Sequence, residues 1–310
     1  MNNPVLFALE SGLPLRESLQ TAIGADAGEI DQRRFPDGES YLRILSPVRG
    51  RYCVVLANLC RPDEKILPLL FLARSLRMQG ATGVGLVAPY LCYMRQDKVF
   101  MPGEAVTSRI FAQMLSTCVD WLVTVDPHLH RYRSLDEIYT IPSRAISGMP
   151  AMQAWLASQP APLLLVGPDR ESQQWVAALA GATGLPFIVG KKQRHGDREV
   201  SIDLPADNRI ANATSVIVDD VISSGHTVLQ TLAALRAVGA PRTICAAVHG
   251  IFAEGADEKI RLAGADLLAT SNSIPGDYCA FDLAPLLAPA VQDLLARADG
   301  SPHVTRDHQT

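Results

Sequence analysis

Short apolar runs that end at a Pro, Asp or Gly alternate with longer helical patterns along almost the whole of this 310-residue chain. Runs so short, and apolar on both sides, suit strands buried on both faces, and the helical stretches between them suit crossovers; together they predict parallel sheets with helices on their faces. The candidate strands are Val5–Ala8, Cys53–Leu56, Val84–Val87, Leu122–Val125, Leu163–Val166, Val216–Val218 and Ile244–Val248. Candidate helices include Glu64–Met78, Ser108–Thr117, Gln173–Ala180, Val228–Val238 and Pro285–Arg297. In an open parallel sheet, ligands gather at the carboxyl ends of the strands, so the chemistry is expected there.

At about 150 residues per domain, the length predicts two domains. With 48% hydrophobic and 19% charged residues and a net charge of −4, the chain is neither disordered nor a general wrapper of nucleic acid. Two stretches lack charge, Ala145 to Pro168 and Ser172 to Gly190, but prolines and glycines break both, so no membrane span is expected. The opening MNNPVLFALESGLP carries no basic stretch and is interrupted by Glu10, so the chain is expected to stay in the cytosol. Its cysteines, Cys53, Cys60, Cys92, Cys118, Cys245 and Cys279, form no CxxC pair and no zinc spacing, which predicts reduced, mostly buried thiols.

The halves resemble each other. A strand, a loop and a helix run into Leu76-Arg77-Met78-Gln79-Gly80-Ala81, and the same order runs into Leu235-Arg236-Ala237-Val238-Gly239-Ala240, each followed by a further strand. This suggests an internal duplication. The copies differ where the second has Asp219 and Asp220 after its strand and the first has Cys60 and Arg61.

The sharpest local signal is Ser215-Val-Ile-Val218-Asp219-Asp220-Val221-Ile222-Ser223-Ser224-Gly225-His226-Thr227. An apolar strand delivers two carboxylates, and a small-residue turn then opens a helix whose free N–H groups and dipole favour a phosphate. Adjacent acids repel each other, so they call for hydroxyl donors or a divalent cation beside them. Alternatively, Ser223, Ser224 and Thr227 merely cap the helix.

This pattern resembles the loop that binds 5-phosphoribosyl 1-diphosphate (PRPP) in phosphoribosyltransferases and in the ribose-phosphate pyrophosphokinase family, in an archaeal-like variant. Two further segments resemble the pyrophosphokinases alone: Arg34-Phe35-Pro36-Asp37-Gly38-Glu39, and Tyr93-Met94-Arg95-Gln96-Asp97-Lys98. The resemblance implies two tandem phosphoribosyltransferase-like α/β domains, each a mainly parallel sheet flanked by helices, over 1–147 and 148–298, with 299–310 as a tail. It implies transfer of the β,γ-diphosphoryl group of Mg-ATP to the C1 hydroxyl of ribose 5-phosphate, giving PRPP and AMP. Phe35, Asp37, Glu39, Arg95, Gln96 and Asp97 would hold ATP, with Phe35 as a stacking face and Arg95 as a planar cation for phosphates. Asp219, Asp220, Ser223, Ser224, Gly225, His226 and Thr227 would hold ribose 5-phosphate.

Asp126-Pro127-His128-Leu129-His130 and Leu163-Leu-Leu-Val166-Gly167-Pro168-Asp169 resemble the family's metal-nucleotide and ribose-phosphate segments, which makes His128 and Asp169 the expected Mg2+ contacts. Gly190-Lys191-Lys192-Gln193-Arg194-His195-Gly196-Asp197-Arg198-Glu199 resembles its mobile catalytic loop, with Lys192 and Arg194 as the cations that stabilise the transferring group. Each segment also has a plainer reading: Phe35 as core filler, Arg95–Lys98 as a solvated turn, His128 as a structural histidine, Asp169 as a helix cap, and 190–199 as a charged turn. The chain departs from the family at His226, where a small Gly is usual, and at Arg170, Glu171 and Ser172, which are bulkier than expected. Competing readings are a non-catalytic regulatory relative and a phosphoribosyltransferase. A homo-oligomer is implied, with the Phe35–Glu39 segment of one subunit completing a neighbour's ATP site.

Overall fold

A computed structural model describes residues 3–170, 172–195 and 199–300. The chain divides into two compact units, the first holding the stretch up to Gly12, residues 16–146 and the chain-end helix, and the second holding residues 13–15 and 147–283. In the first unit, six parallel strands lie in the order Asp26–Gly28, Val5–Ala8, Tyr52–Leu56, Gly83–Ala88, Trp121–Val125 and Ser143–Ile146. The second unit repeats that order with Phe187–Val189, Leu163–Gly167, Thr214–Ile222, Arg242–Gly250, Leu267–Ser271 and Cys279–Phe281. Each unit also inserts one antiparallel hairpin at the same point of its topology: Ile30–Arg34 with Ser40–Ile44, and Lys191–His195 with Glu199–Asp203.

The central strands form because their residues are apolar on both faces: all of Tyr52–Leu56 except its first residue, and all of Leu163–Gly167, are buried. Helices Asp63–Met78 and His226–Ala237 cover corresponding positions in the two units and stop alike. Gly80 (φ 91°) and Gly239 (φ 82°) take the left-handed conformation, and the Ala81 and Ala240 N–H groups then close onto the Leu76 and Leu235 carbonyls at 3.1 and 3.0 Å. Two aspartates brace matching strands as well: the Asp120 carboxylate accepts the Val84 N–H, and the Asp266 carboxylate accepts the Thr243 N–H. The resemblance between the halves therefore extends from sheet order to individual hydrogen bonds.

Three expectations change. The strand placed at Val216–Val218 extends over Thr214–Ile222, so Asp219 and Asp220 lie within it, opposite Ala247 and beside the Val221↔His249 pair. In the segment expected to be a mobile catalytic loop, Lys191–His195 pairs with Glu199–Asp203, so Lys192 and Arg194 are strand residues. The final helix, Ala284–Gly300, belongs to the first unit and packs on Trp121–Val125, although it follows the second unit in sequence. It also contacts strand Ser143–Ile146, and its Leu287, Val291 and Leu294 are buried. All six cysteines are free, five of them buried, and burial pushes the Cys53 thiol up to about 12. Among the described residues no helix is long and apolar enough to cross a membrane.

Candidate functional site

The carboxyl end of the second sheet gathers most of the expected residues. Strand Thr214–Ile222 is long enough to carry Asp219 and Asp220 past the buried core, where both are half-buried. Their carboxylates are turned back on the chain: Asp219 accepts the Asp220 N–H at 3.0 Å, and Asp220 accepts the Val221 N–H at 2.8 Å. Burial, and next the charge of Asp220, push the Asp219 carboxyl well above the usual carboxylate range, and Asp169 adds its charge to the effect. An arrangement of this kind is relieved by hydroxyl donors or by a divalent cation.

Beyond the acids, Ser223 and Ser224 lead to Gly225, which opens helix His226–Ala237. Gly225 is required there on two grounds. Its φ is 72°, and a Cβ would stand 3.1 Å from Ile260 Cδ1 and 3.2 Å from Ala256 Cβ. No side chain caps this helix, and no acid occupies its first turn, so the cap reading for Ser223, Ser224 and Thr227 does not hold. Thr227 serves the helix through its carbonyl, which accepts the Thr231 hydroxyl at 2.8 Å. The loop is braced from below by the Ala253 N–H, which donates to the Ser223 carbonyl at 3.0 Å. His226 is exposed at the first helical position, so its imidazole does not fill the turn.

Asp169 lies just past the Leu163–Gly167 strand and is half-buried. It accepts the Ser172 N–H at 3.3 Å, while the Ser172 hydroxyl donates to the Asp169 carbonyl at 2.7 Å. The cap reading for Asp169 therefore holds in part, since this box precedes helix Gln173–Thr183, and its charge also reaches Asp219. Ser172 is buried and Arg170 exposed, while Glu171 lies outside the described residues. At Gly190 the chain leaves for the Lys191–His195 hairpin: a Cβ there would meet the Pro168 carbonyl oxygen at 2.6 Å, so the glycine lets the hairpin rise directly beside the Asp169 turn. Lys192 is exposed on this hairpin, and strand Glu199–Asp203 packs against helix His226–Ala237. The side chain of Arg194 lies outside the described residues, as do residues 196–198.

In the first unit, the tip of the Ile30–Arg34 hairpin carries Phe35, Asp37 and Glu39. Phe35 is 39% exposed, which removes the core-filler reading. Its ring meets Tyr41 edge-on at 5.8 Å, and the Arg33 guanidinium sits 4.9 Å from one ring and 4.1 Å from the other. The tip closes by Phe35 N–H to Glu39 carbonyl at 2.8 Å and by Glu39 N–H to Asp37 carboxylate at 3.1 Å. Behind the hairpin a cavity of about 770 Å³ opens at the end of the first strand, lined by Glu10, Ser11, Arg16, Arg34 and Glu64 among others.

Arg95 is exposed and Gln96 half-buried, but Asp97 is buried and bound to Arg131. The preceding Tyr93 takes a left-handed φ of 57° and hydrogen-bonds Asp63, which raises its hydroxyl pKa to about 12, burial being the first cause. His128 and His130 are exposed, with rings stacked at 5.8 Å. Arg131 was not singled out in the sequence. Its only signal there was its place just after His130, since nothing local announces a buried partner thirty-odd residues away.

Comparisons with known proteins agree over nearly the whole chain. The family model for the N-terminal domain of ribose phosphate pyrophosphokinase matches residues 4–118, and that for the phosphoribosyl transferase domain matches residues 134–271. The ribose-phosphate pyrophosphokinase of Thermococcus kodakarensis is 32% identical over 285 residues, spanning 91% of this chain and 99% of that protein. The protein of the same name from Methanopyrus kandleri is 28% identical over 292 residues, covering 94% and 99%. The crystal structure of phosphoribosylpyrophosphate synthetase from Mycobacterium smegmatis has the same fold, with a TM-score of 0.81 at 23% identity, covering 96% of this chain and all of that one.

Proposed function

The chain belongs to the ribose-phosphate pyrophosphokinase family, and from that premise we propose that it makes PRPP from Mg-ATP and ribose 5-phosphate. The C1 hydroxyl oxygen bonds to the β-phosphorus while the bond from that phosphorus to the α,β-bridging oxygen breaks, and AMP departs. The observation that carries this reading is the pair of crowded carboxylates, Asp219 and Asp220, followed directly by the Gly225-opened helix with no acid in its first turn. Vicinal ribose hydroxyls donate to the acids, and the Ser223–Thr227 backbone takes the 5-phosphate. Phe35, Asp37, Glu39, Arg95 and Gln96 hold ATP, and Asp97 belongs to the same turn.

Lys192 and Arg194 stabilise the charge on the transferring group. No covalent nucleophile is needed, since positioning and electrostatics supply most of the acceleration of a phosphoryl transfer.

Magnesium fits this donor set. The oxygen ligands it prefers are of the kind that Asp169, Asp219 and Asp220 carry, and a cation beside them would relieve the charge crowding at Asp219. When bound, it neutralises phosphate charge. Asp169 would contact a cation beside the ribose acids, and His128 would contact a cation carried in with the nucleotide, with phosphate oxygens and water supplying the remaining ligands. The exposed Phe35 tip supports a homo-oligomer in which this hairpin completes a neighbour's ATP site, and the free thiols suit a cytoplasmic protein.

Phosphorus NMR of the protein with ribose 5-phosphate, ATP and magnesium tests the reading. Wild type is expected to form AMP and PRPP, and Lys192→Ala to lower kcat on the order of 10²-fold with little change in KM. Absence of both products across several nucleotides and metals would favour the non-catalytic relative.

A further inference from the structure

Asp97 is the acid of the Arg95-Gln96-Asp97 turn, yet its carboxylate is only 1% exposed and faces protein. Both of its oxygens accept from Arg131 Nη1, at 2.8 and 3.0 Å. The backbone around it is fixed too. The Tyr132 hydroxyl lies 3.1 Å from the Asp97 carbonyl and 2.9 Å from the Ser108 hydroxyl, which is itself 3.2 Å from the Gln96 carbonyl.

Because Asp97 engages Arg131 through one amino group, Nε and the second amino group have no hydrogen-bond partner among the described residues. The Arg131 side chain is 37% exposed. Its guanidinium carbon lies 5.2 Å from the Phe100 ring, and Lys98 Nζ lies 5.0 Å from the same ring. Arg95 is exposed at the head of the turn, and Arg131 itself follows His128 and His130 in the loop that leaves strand Trp121–Val125. Among the acids of these loops, Asp97 is taken up by Arg131, and Glu104 accepts the Phe100 and Met101 N–H groups at 2.8 and 2.9 Å. A planar guanidinium held in a set orientation, with two donor groups unengaged among the described residues, is suited to the oxygens of a phosphate.

We propose that Arg131 is a phosphate contact for the bound nucleotide and that Asp97 acts through it as a positioning residue. The assignment rests on the ATP reading given above. Direct contact of Asp97 with ATP, the role implied by sequence, is replaced by an indirect one. Arg131→Met keeps the stem that covers Phe100 but leaves Asp97 buried and unpaired, so the test adds the Asp97→Asn/Arg131→Met double variant, which removes both charges.

Calorimetric titration with ATP and with adenosine, alongside thermal melts, reads the effect. Both variants are expected to bind ATP about tenfold more weakly while holding adenosine as before, with the KM for ribose 5-phosphate unchanged. Asp97→Asn alone is expected to weaken ATP binding less. Unchanged ATP affinity in a folded double variant, or equal losses for ATP and adenosine, would overturn the proposal. Wild type that forms AMP and PRPP while the double variant keeps its ATP affinity sinks the Arg131 role alone. Wild type that binds ATP but forms no AMP sinks the synthetase reading and leaves the ATP-to-adenosine comparison to decide Arg131; wild type that binds neither overturns both.

Discussion

The loop after strand Tyr52–Leu56 and the loop after strand Thr214–Ile222 occupy the same place in their sheets, yet their chemistry is opposed. In the second unit two acids precede a glycine turn, and the helix beyond begins with open N–H groups. In the first, the Asn58 side chain accepts the Cys60 N–H at 3.0 Å, and Pro62 leads into a helix whose first turn already holds Asp63 and Glu64. A helix start that carries its own carboxylates has little left to offer a phosphate. Lys65 reinforces the closure by pairing with Glu10 at 2.9 Å. Two copies of one fold therefore differ in the chemistry they present through a handful of side chains at one strand end, while the sheet, the helix stops and the bracing aspartates remain the same.

The largest expected effect tests that opposition directly. Asp220→Asn should lower kcat/KM for ribose 5-phosphate by on the order of 10²- to 10³-fold, because an amide keeps only one of the two acceptor oxygens for ribose hydroxyls and carries no charge to oppose a cation. Arg61→Ala, in the matching loop of the first unit, should leave that ratio within about threefold. Steady-state rates over a ribose 5-phosphate series measure both. Comparable losses in the two variants would mean that the first loop also takes part in sugar binding.

A second test uses proton linkage. The folded-state pKa of Asp219 is raised above its unfolded value by burial and by Asp220, so the native protein holds this proton to higher pH than the unfolded chain does. Its contribution to stability is therefore fully present below the unfolded pKa and is lost as pH rises through the folded pKa. In ligand-free protein the melting temperature should fall across that interval, and Asp219→Asn, which keeps an acceptor for the Asp220 N–H, should flatten the fall. A wild-type profile identical to that of Asp219→Asn would show that the acids are not crowded in solution.

Much of this contrast was legible in the sequence because it is local. Fully apolar runs announced the buried strands, and the Asp-Asp-to-glycine segment stood out against an ordinary background. What could not be read was set by distant contacts. Ile30–Arg34 is mostly exposed and lacks alternation, so the hairpin that carries Phe35 has no strand signature. Asp26–Gly28, Phe187–Val189 and Cys279–Phe281 are only three residues long and exist because a longer neighbour offers them a partner. The burial of Asp97 depends on Arg131, and the final helix returns to a sheet laid down long before it in the chain. Motif spacing marks which residues are chemically interesting, but it does not reveal which of them face solvent.

The smallest effect asked of the comparison concerns the backbone of the two loops. Gly225 and Arg61 both take left-handed φ values, 72° and 54°, but only one is a glycine. Gly225→Ala should destabilise the protein by about 1–3 kcal/mol, from the conformation itself and from the Cβ pressed against Ile260 and Ala256. Arg61→Gly relieves the same conformational cost, offset in part by the freedom glycine adds to the unfolded chain, so its net effect should lie between zero and about 1 kcal/mol of stabilisation. Urea unfolding of both variants gives the signs. Opposite signs would mean that the first unit holds a turn of the same shape against its residue preference; if Arg61→Gly is destabilising as well, then contacts of the arginine side chain, and not a turn shared with the second unit, hold that loop in place.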